Sequence, residues 1–155
     1  MALALVAVTL DSSPLGLVTQ KTGKSTDGDA CRIWMENLLI QGVRVYIPEV
    51  ADYEVRRELV RAKNPGSIAR LDRLKQLARY LPITTGVMLE AAELWAQARN
   101  SGLATADIHA LDGDAIVAAQ ALSLNLATSE FVIATSNVRH LSRFAPADLW
   151  SNIRP

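Results

Sequence analysis

The sequence predicts an α/β fold: a three-layer α/β/α sandwich around a mostly parallel sheet. Residues 3–10 form a near-continuous aliphatic run, as expected of a strand covered on both faces. Further stretches of strand length occur at 43–47 and 131–135, and helical apolar patterns fill the chain between them. Strands that alternate with helices are typical of parallel sheets, because each parallel pair needs a crossover connection. The 155 residues, half of them hydrophobic, predict one domain over 1–155.

The first strand is expected to lead directly into a helix. Ser13 followed by Pro14 is typical of an N-cap with proline at the first helical position, which leaves Asp11 at the carboxyl end of the strand. The polar, glycine-bearing residues 21–29 then predict an exposed loop.

The next helix is predicted over residues 30–40 and ends near Gly42. The alternating segment 43–47 predicts the second strand, which Pro48 ends. The apolar helix residues in register are Ile33, Trp34 and Leu38.

Two further helices are predicted over residues 49–62 and 67–80, and residues 81–84 are a candidate for a short strand. The first helix carries an apolar stripe made of Ala51, Val55, Leu59 and Ala62, and the second carries Ile68, Leu71, Leu74, Leu77 and Ala78.

The remaining elements are a helix over 85–100 that ends at Ser101 and Gly102, a loop, a helix that begins near Leu111, and the strand over 131–135.

Composition excludes several kinds of protein. Sixteen basic residues balance sixteen acidic ones, so the net charge gives no sign of a nucleic-acid partner. Cys31 is the only cysteine, which excludes an internal disulfide framework and cysteine-rich zinc sites and favours a reducing cytoplasm. The apolar N-terminus lacks the basic region of a signal peptide and reaches an acid well before the roughly 20 residues that span a bilayer, so no membrane association is expected.

Polar residues follow several predicted strands or stand on the helices after them. They are Asp11 after the first strand, Glu54 on the helix after the second, Asp112 and Asp114 at the head of a late helix, and Asn137 after the last strand. Ligands of open parallel sheets gather at the carboxyl ends of the strands, so these residues could converge. Oxygen ligands without cysteine or paired histidines suit a hard cation such as Mg²⁺ or Mn²⁺.

Each of these residues also has a purely structural interpretation. Asp112 could be an N-cap and Asp114 an acid favoured by the helix dipole. Asp11 and Asn137 could be turn residues, and Glu54 could pair on the surface with Arg57, as helix acids commonly do.

The spacing on the third helix favours a functional interpretation. Glu54 and Glu58 lie one helical turn apart on the same flank of the apolar stripe, so at least one of them should meet the core, where a charge needs a partner.

Two other motifs carry no catalytic prediction. Gly23, Lys24 and Ser25 end like a phosphate-binding P-loop, but Val18 stands where the first glycine is required. The two histidines, His109 and His140, lack metal-ligand spacing and an adjacent nucleophile, so a serine or cysteine hydrolase is not expected.

Four segments together resemble the PIN domain, the metal-dependent ribonuclease fold of VapC-like toxins. VTLDSSPLG is similar to the family's strand that ends in an aspartate, and ADYEVRREL is similar to its helix that carries a glutamate. GDAIVAAQAL is similar to the family's Asp-x-x-x-Ala-Ala segment, and IATSNVRHLSRF to its closing Thr-x-Asn strand and loop. The resemblance covers nearly the whole chain.

The resemblance implies an acidic site made of Asp11, Glu54 and Asp114, which binds Mg²⁺ or Mn²⁺. Asn137 stands where many members have a fourth acid, and Asp112 is the candidate for the missing charge. Ser12 keeps the hydroxyl that follows the first aspartate. The implied function is an endoribonuclease that leaves a 5′-phosphate and a 3′-hydroxyl, as the toxin of a type II toxin–antitoxin pair with an antitoxin partner and a homodimeric assembly.

An RNA substrate would need a positive surface. Arg139 and His140 follow Asn137 closely enough to contact a bound phosphate, and two helix faces are rich in cations, although a solvated helix face is the alternative interpretation. Those faces carry Arg56, Arg57, Arg61 and Lys63, and Arg70, Arg73, Lys75 and Arg79.

A PIN-like binding module with weak or no catalysis is the competing hypothesis, and Asn137 in place of an acid favours it. The tryptophans Trp34, Trp95 and Trp150 could line a dimer or antitoxin interface or pack in the core.

Overall fold

A computed structural model describes the backbone of residues 4–102 and 108–155, together with their side chains except those of 108–110. The predicted start of the first strand at Leu3, most of the loop after Gly102 and the side chain of His109 lie outside these residues. Five strands are present in the described part of the chain: β1 (Ala7–Leu10), β2 (Arg44–Pro48), β3 (Arg79–Leu81), β4 (Phe131–Ala134) and β5 (Ala147–Asp148).

The described part of the chain also forms seven α-helices, which flank the strands. They are α1 (Ser12–Thr19), α2 (Thr26–Ile40), α3 (Glu49–Arg61), α4 (Pro65–Leu77), α5 (Thr85–Asn100), α6 (Ile108–Leu122) and α7 (Val138–Leu141), and a 3₁₀ turn follows at Trp150–Asn152.

The strands form one sheet in the order β3-β2-β1-β4-β5, and every pairing is parallel. The predicted α/β/α sandwich is therefore confirmed. Strands β2 and β3 lie on one side of β1 in the sheet, and β4 and β5 lie on its other side. The carboxyl ends of β1 and β4 thus form the topological switch point at which open parallel sheets bind ligands.

Strand residues alternate between two apolar layers. Val8 and Leu10 pack with α1 to α4, whereas Ala7 and Ile133 pack with α5 and α6. Trp34 belongs to the first layer, where its indole N–H donates to the Ile153 carbonyl at 3.0 Å and its ring lies 5.8 Å from that of Trp150. The core interpretation therefore holds for this pair. Among the described residues, no helix is both long and apolar enough to cross a bilayer.

The N-cap of α1 is Asp11, and the prediction of Ser13 is wrong. The Asp11 carboxylate accepts a hydrogen bond from the Ser12 N–H, so the helix begins at Ser12 and Pro14 is its third residue. The sequence pattern misleads because proline is tolerated throughout the first helical turn, where its missing N–H would be unpaired in any case.

The predicted loop 21–29 ends earlier than expected, because α2 begins at Thr26. The Ser25 hydroxyl caps the helix by accepting from the Gly28 N–H at 2.9 Å. The Gly-Lys-Ser segment therefore ends in a helix cap, not in a phosphate loop. Ile33 is exposed, and the buried face of α2 instead carries Cys31, Trp34, Met35 and Leu38.

Helix α6 begins at Ile108, three residues before the predicted start, so Asp112 is not its N-cap. Asp112 and Asp114 lie in the second turn instead. Helix α4 ends at Leu77 and β3 begins at Arg79, earlier than predicted, because residues 79–81 pair with β2. Helix α7, strand β5 and the 3₁₀ turn were not predicted.

Gln120 joins α6 to the start of α3. It is fully buried; its amide nitrogen donates to the Leu81 carbonyl at 2.6 Å, and its side-chain oxygen accepts from the Val50 N–H at 3.4 Å. A buried polar group must be paired in this way. These bonds fix the two helices that carry Glu54 and Asp114 relative to each other.

Candidate metal centre

Asp11 lies at the switch point of the sheet, between the ends of β1 and β4. One carboxylate oxygen accepts from the Ser12 N–H at 2.8 Å, and the other accepts from the Thr135 hydroxyl at 2.7 Å. The Thr135 hydroxyl in turn accepts from the Asn137 N–H at 2.8 Å. The side chain of Asp11 is therefore held by groups from both neighbouring strand ends.

Glu54 approaches the site from α3. It is half-buried, and its carboxylate lies against the backbone of Gly113 on α6, where an added Cβ would be only 3.3 Å from Glu54 Oε1. Glu58, one turn later, is exposed and pairs with Arg61 at 2.9 Å. Of the two acids on this flank, Glu54 is the one that meets the core.

Asp114 completes the group from α6. Its residue is only 9% exposed, and Asn137 Nδ2 lies 3.5 Å from its Oδ2 atom. His140 Nδ1 lies 3.7 Å from the same oxygen, and no hydrogen bond to this buried nitrogen is made by any residue that the structure describes.

Burial raises the pKa of all three carboxylates, and neighbouring carboxylates add to the shift for Asp114 and Glu54. Burial raises the pKa of Asp114 to about 7, and the charges of Asp11 and Glu54 add to the shift, while Arg143 partly offsets it. Burial and the charge of Asp11 also raise the pKa of Glu54, against the opposing effect of Arg57. The pKa of Asp11 is raised by burial although its hydrogen bonds favour the anion. The site therefore concentrates negative charge that water does not stabilise.

A divalent cation would relieve this repulsion. The donor set consists of carboxylate oxygens, which Mg²⁺ and Mn²⁺ prefer. In the part of the chain that the structure describes, no three His, Cys, Asp or Glu side chains already have an arrangement that would hold a metal ion. The residues fit such an ion in chemistry and burial, but their side chains would have to adjust to hold it.

The other predicted site residues are dispersed. Asp112 is exposed and lines an apolar groove between α5 and α6 together with Met88 and Trp95, so the structure does not bring it to the carboxylates. Ser12 contributes its backbone N–H to Asp11. Arg139 is exposed, and His140 is the closer of the two basic residues to the acids.

Sequence reasoning did not assign a role to Thr135 or Gly113. Thr135 is fully buried and orients Asp11, and the Thr-x-Asn pattern was the signal that could have identified it. Gly113 leaves room for the Glu54 carboxylate, and only its position between Asp112 and Asp114 marks it in the sequence.

Thr135→Val is expected to weaken Mn²⁺ binding about tenfold, because ligands that lose an orienting hydrogen bond typically lose 10- to 100-fold in affinity. Isothermal titration with Mn²⁺ would measure the change. Thr9→Val is the matched control, since the buried Thr9 hydroxyl has no hydrogen-bond partner among the described residues. Thr135→Ser should restore binding, and equal affinities in all four proteins would contradict this role of Thr135.

Comparisons with known proteins identify the family and the fold of this chain. A family model described as PIN domain matches residues 9–145. A sequence comparison with curated proteins gives no significant match.

Solved structures with the same fold include VapBC2 from Rickettsia felis bound to promoter DNA, at a TM-score of 0.72 and 16% identity over 94% of this chain and 99% of that chain. VapBC-1 from nontypeable Haemophilus influenzae matches at a TM-score of 0.68 and 18% identity, over 95% of this chain and 100% of that chain. DNA-bound VapBC from Salmonella typhimurium matches at a TM-score of 0.66 and 16% identity, over 94% of this chain and 99% of that chain. At these identities, the likeness is one of fold.

Proposed function

Because this chain belongs to the PIN domain family, whose members are generally nucleases, we propose that it is a metal-dependent endoribonuclease that cleaves RNA phosphodiester bonds. The observation that carries the proposal is the meeting of Asp11, Glu54 and Asp114 at the switch point of the sheet. Asp11 also caps α1, but grouping three buried or half-buried carboxylates raises the energy of the folded state, and the N-cap alone does not require Glu54 and Asp114 beside it.

Asp11, Glu54 and Asp114 would hold Mg²⁺ or Mn²⁺. When bound, such an ion supplies Lewis-acid activation of water and neutralises charge on the scissile phosphate. The protein's own contribution is to fix the ligands. Thr135 and the Ser12 N–H hold Asp11, and Gln120 fixes α6 against the start of α3.

Asp114 must lose a proton before it can act as a ligand. With a pKa of about 7, it is close to half-protonated at neutral pH in the metal-free protein. Metal binding should therefore release a proton, and metal affinity should increase as the pH rises through 7. Asn137 and His140, which lie beside the same oxygen, are placed to orient the ionised carboxylate.

The biological part of the proposal is that the nuclease is the toxin of a type II toxin–antitoxin pair. The solved structures that share this fold are VapBC complexes, and two of them are bound to DNA. We propose that this chain has an antitoxin partner, as the VapBC complexes suggest. We also propose a homodimeric assembly, a single domain over 1–155 and a location in the cytoplasm.

A binding module with little catalysis is the second candidate. The amide of Asn137 occupies the position where many PIN domains have a fourth acid, and the carboxylates must adjust before they can hold an ion. This candidate predicts that RNA binds and remains intact.

The test is RNA cleavage by the purified protein in Mg²⁺, Mn²⁺ or EDTA, with single-stranded RNA and a folded tRNA as substrates. Asp114→Asn should lower the rate at least 100-fold, whereas Asp112→Asn, on the same helix but outside the carboxylate group, should retain it. Metal-dependent cleavage that persists in Asp114→Asn would reveal a contaminating nuclease and contradict the assignment.

A further inference from the structure

A groove with polar and charged side chains in its lining runs from Glu54 along the surface between α1 and α3. It encloses about 530 Å³ and begins at Ser12 and Glu54. Farther along it passes Gly16 and Arg57 and reaches Lys24 and Asn64. The groove therefore connects the candidate metal centre to the Gly-Lys-Ser loop before α2, for which the proposed function has no use.

We propose that this groove binds the RNA strand on one side of the scissile phosphate, with Lys24 and Arg57 contacting its backbone phosphates. The inference rests on the proposed nuclease function and specifies where its substrate lies. The strand must be unpaired there, because Asp11 and Asp114 are 8% and 9% exposed and a phosphate within a duplex could not reach them.

The groove offers two cations, Lys24 and Arg57, to the phosphates of a polyanion. Lys24 and Arg57 are both exposed, and neither forms a salt bridge with any residue that the structure describes. The negative lining residue Glu58 is neutralised by Arg61 at 2.9 Å, and Glu54 belongs to the carboxylate group. Exposed lysine and arginine side chains that form no salt bridge are suited to bind phosphates, although the charge of Arg57 also acts on Glu54.

Amide side chains add hydrogen-bond donors. Gln20 Oε1 accepts from the Ser25 hydroxyl at 2.6 Å, and Asn64 Oδ1 accepts from the Ser67 N–H at 3.0 Å. Neither NH₂ group donates a hydrogen bond to a residue that the structure describes, so both are available to donate to phosphate or base oxygens.

The loop that carries Lys24 is held in place. The Gly23 N–H donates to both Asp29 carboxylate oxygens, at 3.0 and 3.2 Å, and Arg32 joins that carboxylate to the Gln20 carbonyl. Gly23 has a φ of +84°, which favours glycine. Lys24 is thus presented from an ordered backbone, which lowers the entropy cost of binding.

Gly16 keeps the groove open at its centre. A Cβ added to this helical residue meets no atom within 4 Å, so a larger side chain would enter the groove without disturbing the fold. Replacement of a helix-interior glycine should also favour the helix by up to about 1 kcal/mol.

The charge test compares the double variant Lys24→Ala/Arg57→Ala with Lys21→Ala/Arg44→Ala, which removes two exposed cations that do not line the groove. Fluorescence anisotropy with a labelled 20-nucleotide single-stranded RNA in EDTA measures binding without cleavage. We expect a Kd about tenfold higher for the first variant only, and a slope of log Kd against log salt reduced by about 1.4, because each lost phosphate contact contributes about 0.7.

The steric test uses Gly16→Leu, with Gly16→Ala as its control. Gly16→Leu should raise Kd at least fivefold at an unchanged or higher Tm, and Gly16→Ala should bind like the wild type. Equal RNA binding by the groove variants and their controls would overturn the proposal. It would likewise be overturned if Lys24→Ala/Arg57→Ala kept RNA binding and lost binding of an oligo-aspartate peptide, since the groove would then receive an acidic protein segment.

Cleavage separates this inference from the proposed function. If the wild type cleaves RNA and the groove variants cleave it equally well, the groove assignment is wrong and the nuclease assignment stands. If the wild type does not cleave RNA and the groove variants still lose binding, the nuclease assignment fails and the groove remains an RNA site.

Discussion

Asp114→Asn is expected to make the metal-free protein more stable at pH 8 while it removes metal-dependent cleavage. The buried Asp114 carboxylate is repelled by Asp11 and Glu54, and an amide of nearly the same shape carries no charge. The gain in the free energy of unfolding should be on the order of 2 to 4 kcal/mol, at about 1.4 kcal/mol per pKa unit.

This gain should depend on pH in one direction. The pKa of Asp114 is raised from 3.8 to about 7 on folding, so the folded chain binds more protons than the unfolded chain between these values. The contribution of Asp114 to the stability of the wild type therefore falls as the pH rises from about 4 to about 7 and levels off above. The difference from Asp114→Asn should be small at pH 4 and largest at pH 8.

Urea denaturation in EDTA at pH 4.5 and pH 8 measures the effect. Asp112→Asn is the matched control, because this residue is exposed and should change stability little at either pH. Added Mn²⁺ should stabilise the wild type at pH 8 and leave Asp114→Asn unchanged. If Asp114→Asn is the less stable protein at pH 8, the carboxylates do not repel one another as proposed.

Such a gain would show that the site is maintained at a cost to stability, as expected of functional residues. The same conflict between charge and burial made these acids candidates in the sequence, and the resemblance to the PIN domain selected the three. Asp11 and Asp114 are charges next to runs that must be buried, and Glu54 stands beside an apolar stripe. Each conflict between charge and burial is visible within a few residues, and the order of strands and helices places all three near one sheet edge.

Features that depend on contacts distant in sequence could not be predicted. The hydrogen bond from Thr135 to Asp11 joins residues 124 positions apart, and the local Thr-x-Asn pattern marks Thr135 without identifying its partner. The bonds of Gln120 likewise reach 39 and 70 residues away. Local rules misplaced the start of α1 because Asp11, Ser12 and Ser13 are all competent caps, and only packing selects among them.

The glycine between the two acids of α6 gives the other large expected effect. An alanine Cβ at position 113 would lie 3.3 Å from Glu54 Oε1 and 3.8 Å from its carboxyl carbon, so the carboxylate must shift by a few tenths of an ångström. A leucine would occupy the space of the carboxylate itself. We expect kcat/KM for RNA cleavage to fall about tenfold in Gly113→Ala and at least 100-fold in Gly113→Leu, because misplacement by about 1 Å can cost 100-fold.

The fold should tolerate both changes, because Gly113 lies within α6 and alanine and leucine are better helix formers than glycine by up to about 1 kcal/mol. Among the residues that the structure describes, the added Cβ would come within 3.4 Å only of the Glu54 carboxylate, the end of a flexible side chain that can swing toward solvent. Steady-state cleavage assays, Mn²⁺ titration and thermal melts of the two variants would separate the loss of the site from the loss of the fold. Gly86→Ala on α5, where the added Cβ meets only the Thr84 hydroxyl at 3.8 Å, is the control and should keep wild-type activity. Full activity in Gly113→Leu would mean that Glu54 binds the metal from another position, or does not bind it.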